Sequence, residues 1–218
     1  MRAAVAAVEE AEGAVGVLVN NAGYGVHGAV EETPMQDVRD QFETNLFGLA
    51  RLTQLALPGM RRQRWGKIVN ISSMGGILTF PGGGFYHASK HALEALSDAL
   101  RYEVRPFGIG VSVVEPGIIK TSFGDTAVAT VAEEDGAYAS FNKGLKKKIA
   151  GAYDGPLSRV AIGPDAVARA IEKAISAKRS RTRYVVPSPL KPLLFLKKVL
   201  PDRAFDAILR SQYPSPRP

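Results

Sequence analysis

The stretch Lys67-Ile68-Val69-Asn70-Ile71-Ser72-Ser73-Met74-Gly75, with Phe85-Tyr86-His87-Ala88-Ser89-Lys90 beyond a Gly/Pro-rich loop, decides how this chain reads. Residues 67–71 form a short apolar run ended by serines and glycine, the pattern of a buried strand. The second part opens a helix, on which positions i and i+4 share a face, so the ammonium of Lys90 comes close to the phenol of Tyr86. A free tyrosine titrates near pKa ~10. A fixed positive charge nearby favours the phenolate and moves the group toward acid/base work at neutral pH. Ser73 ends the strand thirteen residues before Tyr86, where its hydroxyl can hold a carbonyl or alcohol oxygen. Tyr and Lys at this spacing also fall on helices by accident, so the pair taken alone leaves the plain structural alternative open.

Outward from this stretch the chain alternates strands and helices. Residues 2–12 read as a helix with Val5 and Val8 as core positions, stopped by Gly13. Residues 15–20 are apolar without alternation, as a strand buried on both faces would be. After a loop over 23–33, Pro34 suits a first helical turn, and a long helix runs to about residue 64. The Tyr86 helix ends near Arg105-Pro106-Phe107-Gly108, and residues 109–114 form the next strand. Residues 121–160 read as mixed and irregular, with a basic cluster at Lys143, Lys146, Lys147 and Lys148. Gly163-Pro164-Asp165 starts a helix to about residue 177, and residues 183–186 make a last strand. This order predicts an α/β protein with a Rossmann-like parallel sheet and helices on both faces.

The chain has 218 residues, enough for one domain with a full core. There are no cysteines, so disulfides and thiolate metal sites are excluded. Of three histidines, His87 and His91 share a helix face, but no third ligand accompanies them and no metal is expected. Neither a secretion leader nor an apolar run of membrane-spanning length is present, which makes a cytoplasmic protein the expectation. The net charge of +7 is uneven. Residues 1–177 carry 18 basic and 19 acidic side chains, while residues 178–218 carry 10 and 2, a net of +8.

Three further segments join the opening stretch. They are Asn20-Asn21-Ala22-Gly23 closing an apolar strand, Asn45 within Thr44-Asn45-Leu46-Phe47-Gly48, and Pro116-Gly117 after the strand of residues 109–114. In order and spacing this set resembles the short-chain dehydrogenase/reductase family over roughly residues 1–190. The resemblance implies hydride transfer between NAD or NADP and a small-molecule alcohol or ketone, with the cofactor supplying the hydride and the protein position and proton handling. It implies that Tyr86 gives or takes the proton on the substrate oxygen, and that Lys90 binds the nicotinamide ribose and depresses the Tyr86 pKa. Ser73 would hydrogen-bond the substrate oxygen, and Asn45 would anchor a water linking Lys90 to bulk. Asn20, Ala22 and Gly23 match the adenosine-side contacts. Pro116, Gly117, Ile119 and Thr121 match the segment that cups the carboxamide. For Asn45 the alternative is a side chain bonding backbone within its own helix, and for Pro116-Gly117 a plain turn.

By the layout of that family the chain starts about 60 residues late, without the first three strands and two helices and their glycine-rich pyrophosphate turn. The expectation is therefore an N-terminally truncated sheet that holds its cofactor weakly. Gly23-Tyr24-Gly25-Val26-His27-Gly28 matches G-x-G-x-x-G, but the helix opens only at Pro34 and no carboxylate lies at residues 44–49. A wall of the reactive site is the reading preferred for it.

Crevice loops at strand C-termini set ligand choice in open α/β sheets. Here residues 24–33, 74–85 and 121–160 would supply Tyr24, Val26, Met74, Ile77, Leu78, Phe80, Phe85 and Phe123, an apolar pocket that favours a lipophilic alcohol or ketone. The domain is placed at 1–188 and a basic, apolar tail at 189–218. In the tail, Leu and Phe flanked by lysines suit a helix at a membrane interface, a lid over an apolar substrate, or a partner-facing arm. Nucleic-acid binding is not expected, because the basic residues interleave with buried-type side chains. A homo-oligomer packed through the helices at 34–64 and 86–105 is implied by the resemblance. The runner-up function is a fragment without catalysis that associates with another chain, since the strand at 15–20 would lack an edge partner. A serine hydrolase is excluded because Gly-x-Ser-x-Gly is absent around Ser73.

Overall fold

Four strands lie side by side in chain order and all run parallel: β1 (Val17–Asn20), β2 (Gly66–Ile71), β3 (Ile109–Pro116) and β4 (Arg183–Val186). The computed structural model describes residues 1–132, 136–154, 161–213 and 215–216. Parallel neighbours need crossovers long enough to return the chain to the same end. These are α2 (Met35–Phe42) running into α3 (Leu49–Gln63), then α4 (Gly84–Val104), then α7 (Asp165–Ser176). A first helix, α1 (Arg2–Glu12), precedes β1 and packs on α3.

The sheet is covered on both faces, which explains strands that are apolar without alternation. Leu18, Ile68, Val111 and Ile109 meet Ala56 and Met60 of α3 and Leu100 and Val104 of α4. Val69, Ile71, Val114 and Val186 point the other way, onto Ala170 and Ala174 of α7. The predicted fold class matches what the structure shows. Among the described residues, β1 has a strand neighbour on one side only.

Two sequence readings need correction. Residues 121–160 are not irregular throughout, because they contain α5 (Phe123–Ala129) and α6 (Ala139–Asp154). Phe141, Leu145 and Ile149 lie four residues apart and pack together as one face of α6, a stripe obscured by the lysines between them. The long helix at 34–64 is interrupted by a π-helical turn, Glu43–Gly48. A Cβ at Gly48 would lie 2.9 Å from the Glu43 carbonyl oxygen, so the wide turn depends on that glycine. Such turns recur at functional sites, and this one carries Asn45.

The tail folds back as α8 (Lys191–Val199) and α9 (Asp202–Gln212). Leu194 and Phe205 pack on Leu78, with Met74, Ile77 and Phe80 around them, so one face of the tail covers the segment after β2. Tyr213 stacks on Phe80 at 6.3 Å, and the Lys148 ammonium lies 4.1 Å from the Tyr213 ring. At the sheet's far edge Arg183 of β4 pairs with Glu94 and Asp98 of α4 and with Glu115 of β3, which is 1% exposed.

Candidate active site

All the site candidates collect at the C-terminal ends of the parallel strands, the end at which open α/β sheets bind ligands. At the end of β2 the chain turns through a single 3-10 turn, Met74–Gly76, with Ser73 as its N-cap in extended backbone. The Ser73 hydroxyl accepts the Gly75 N–H at 3.0 Å, so it is held at the head of the turn. Glycine is required next. A Cβ on Gly75 would come 2.5 Å from His87 Nδ1 and 3.3 Å from the Tyr86 ring, so the turn reaches the first turn of α4 only without one.

The opening of α4 presents Tyr86, His87, Ser89 and Lys90, all buried. The Lys90 ammonium donates to the Ile71 carbonyl at 2.9 Å, two residues before Ser73. That bond draws the cation of α4 onto the end of β2. Burial pushes Lys90 down to about 8, against a smaller upward pull from Glu94 one turn on. The Tyr86 ring is flanked by His27, His87 and Phe123, each with its centroid 5.6 Å away.

Residues 23–28 close the third side. A Cβ on Gly23 would lie 3.0 Å from Asn45 Oδ1 and 3.4 Å from Lys90 Nζ, so bare backbone fronts the cation here. The Asn45 side chain accepts the Tyr24 N–H at 3.1 Å and donates to the Tyr24 carbonyl at 2.8 Å and to Ser89 Oγ at 3.0 Å. Its partner is thus a loop 21 residues away, rather than its own helix. The Val26 N–H donates to the buried Gln41 side chain at 2.6 Å, and the His27 N–H to Thr130 Oγ1 at 2.8 Å. No helix follows this loop until Met35, so Gly23–Gly28 does not aim its glycines at a helix N-terminus; it walls the reactive groups.

The structure brings Lys90, Asn45 and Gly23 together, and Gly75 stands between the Ser73 hydroxyl, which accepts its N–H, and the edge of the Tyr86 ring. Asn20 differs, because its amide turns inward to donate to Asn70 Oδ1 at 2.8 Å and Thr53 Oγ1 at 3.3 Å. Asn70 in turn donates to Ser97 Oγ at 2.9 Å, giving a buried polar ladder across β1, β2 and α4. Ala22 is exposed beside it. At the end of β3, the Gly117 N–H donates to the Val186 carbonyl at 2.7 Å. A Cβ on Gly117 would run into the Leu190 side chain, so the tail roofs this strand end. Ile119 bridges to Ile162, and the Thr121 hydroxyl accepts the Phe123 N–H at 3.3 Å.

A family model described as short chain dehydrogenase matches residues 1–132. This chain belongs to that family. It is 38% identical over 194 residues to a probable short-chain type dehydrogenase/reductase, VdlC, of Helicobacter pylori, which covers 89% of this chain and 70% of that protein. It is 38% identical over 217 residues to a 3-ketodihydrosphingosine reductase of Bacteroides thetaiotaomicron, covering 98% of this chain and 78% of the relative. Among solved structures, a short-chain dehydrogenase/reductase from Burkholderia phymatum in complex with NAD superposes with a TM-score of 0.74 at 26% identity, over all of this chain and 75% of that one. The short-chain dehydrogenase family is one of oxidoreductases, and this chain is an oxidoreductase by that membership.

Sequence reasoning passed over His27 and His87 as neighbours of Tyr86 in this short-chain dehydrogenase. His87 Nδ1 lies 3.0 Å from the Gly75 carbonyl, and burial pushes its imidazole down to about 4 despite that bond. It is therefore neutral at pH 7. Burial also lowers His27, whose Nδ1 lies 3.2 Å from the Gly25 carbonyl. His87 could have been found by its place beside Tyr86, but nothing local marks His27, which reaches the ring across 59 positions of chain.

Proposed function

We propose that this site interconverts an alcohol and a ketone with NAD or NADP, on a lipophilic substrate. The observation that carries the reading is the Lys90–Ile71 bond, which draws the cation of the Tyr86 face to the strand end that bears Ser73. One feature is compatible with the cofactor: at Gly23 bare backbone, and no side chain, stands nearest the Lys90 ammonium. When bound, that group supplies or accepts the hydride.

The chain's own residues do the rest. Tyr86 donates its phenolic proton to the ketone oxygen in reduction and recovers it in oxidation. Lys90 would hold the ribose hydroxyls, and its positive charge one turn along favours negative charge on the phenolic oxygen. Ser73 hydrogen-bonds the substrate oxygen as charge grows there. Both amide hydrogens of Asn45 are already donated. A water passing the proton from Lys90 to bulk would therefore meet Asn45 at its Oδ1, whose other bond is to the Tyr24 N–H. Asn20 contributes through backbone, since its amide is spent in the ladder. At and beyond the end of β3, Pro116, Gly117, Ile119 and Thr121 would cup the carboxamide.

A lipophilic substrate is supported by an apolar groove of about 390 Å³ lined by Ala29, Val30, Phe80, Pro81, Phe141 and Leu209, among others. Its volume lies in the range of small-molecule sites. Two of its lining residues, Gly28 and Gly84, are in the chain the neighbour of His27 and the residue two before Tyr86. The relative named for reduction of 3-ketodihydrosphingosine agrees with a ketone as substrate. The same family reading assigns a second copy of the chain to the helices at 34–64 and 86–105; on the first of these, Phe42 and the half-exposed Phe47 line a concavity of about 420 Å³.

The test is consumption of NADH or NADPH with a series of 2-alkanones, by wild type and Tyr86→Phe. Loss of about 10²-fold or more in kcat, with little change in cofactor affinity, is expected for a missing proton donor. A variant that keeps its rate removes Tyr86 from this role.

A further inference from the structure

The helix α8 is apolar on two sides. Leu194 is buried against the body, yet Phe195 is 66% exposed, Leu196 41% and Val199 58%. Residues 195 and 199 lie one turn apart on the same face, with 196 beside them. Ile208 of α9 is also exposed. Lone surface hydrophobes need no explanation, but three large ones grouped on one anchored helix mark a contact surface.

Charge selects the partner. Residues 191–212, which make up α8 and α9 and their link, carry 5 basic and 2 acidic side chains, a net of +3. Lys191, Arg203 and Arg210 are exposed along α8 and α9, and Asp202 is bonded to Lys197 at 2.9 Å. A second copy would press this basic region against another like it, whereas an anionic surface would attract it. A nine-residue helix is about 14 Å long, far short of a bilayer core of about 30 Å. Among the described residues no helix is long and apolar enough to cross a membrane. A short helix with an apolar outer face flanked by cations suits the plane of the lipid headgroups.

We propose that the outer face of α8 docks this protein onto an anionic lipid surface, with Phe195, Leu196 and Val199 entering the headgroup layer and Lys191 and Arg203 meeting phosphates. This does not rest on the catalytic reading. It assigns the tail's two faces separately, the inner to packing on residues 74–80 and the outer to lipid.

The experiment is co-sedimentation of the full chain with phosphatidylcholine vesicles, with and without phosphatidylglycerol. Binding to the anionic vesicles, at least about tenfold stronger than to phosphatidylcholine alone and weakened by salt, is expected. The double variant Phe195→Asp, Val199→Asp, altered only at exposed positions, should keep the wild-type melting temperature and lose the vesicles. Lys191→Glu with Arg203→Glu should lose the anionic preference. The proposal is overturned by a wild-type chain that ignores both vesicles or by an aspartate variant that binds like wild type. It is overturned equally by sedimentation equilibrium showing a wild-type dimer that the aspartates convert to monomer, which would give the face to a second copy.

Discussion

Replacing Lys90 by methionine should stabilise this protein at neutral pH. Lys90 is 5% exposed, and burial lowers its ammonium from 10.5 to about 8. Between those values the unfolded chain binds more protons than the folded one, so wild-type stability rises with pH through that window. Below about pH 8 the fold holds a buried charge at a cost of about 3 kcal/mol, which shrinks to about 1 kcal/mol by pH 10. Methionine keeps the length of the stem and removes this term. It also removes the 2.9 Å bond to the Ile71 carbonyl, which both protonation states of the amine can donate, at a cost of about 1–2 kcal/mol. The variant should therefore be more stable by about 1–2 kcal/mol at pH 7, and no more stable than wild type near pH 10. Guanidinium unfolding at the two pH values, with equal slopes, reads the difference directly. A variant that is less stable at pH 7, or a difference that does not move with pH, would refute the reasoning. The gain should accompany a loss of turnover, since residues held in an active site often cost stability.

Arg183→Met should lower stability by about 3–5 kcal/mol, because it withdraws the cation from Glu94, Asp98 and the buried Glu115; calorimetric melting measures it. His87, lowered from 6.5 to about 4, binds fewer protons folded than unfolded in that range, so wild type should lose about 2 kcal/mol from this group between pH 7 and pH 5. In His87→Gln that part of the acid dependence should vanish, as urea titrations at the two pH values would reveal. Leu209→Trp should fill the apolar groove and reduce kcat/KM for long 2-alkanones at least about tenfold while sparing short ones, and equal losses along the series would separate the groove from the substrate chain.

Much of this fold was legible because its signals are local. The strand at residues 183–186 and the helix after Gly163-Pro164-Asp165 follow from apolar periodicity and turn chemistry within a dozen residues. The α6 helix escaped because its lysines crowd the stripe of Phe141, Leu145 and Ile149, which shows only when the positions are counted at helical spacing. The π turn escaped because nothing local marks it apart from Gly48, whose need arises from a carbonyl one turn back.

The one-turn spacing of Tyr86 and Lys90, and the serine that ends the preceding strand, lie in the sequence by itself, because helix geometry converts a count of four into a shared face. Tertiary structure alone decided where the ammonium goes, which loop Asn45 holds, and that His27 meets Tyr86. Lys90 and Ile71 are 19 positions apart, and Arg183 and Glu94 are 89. Contacts across such distances are set by strand order and register, which depend on how every element buries its apolar face against the others rather than on any run of neighbouring residues.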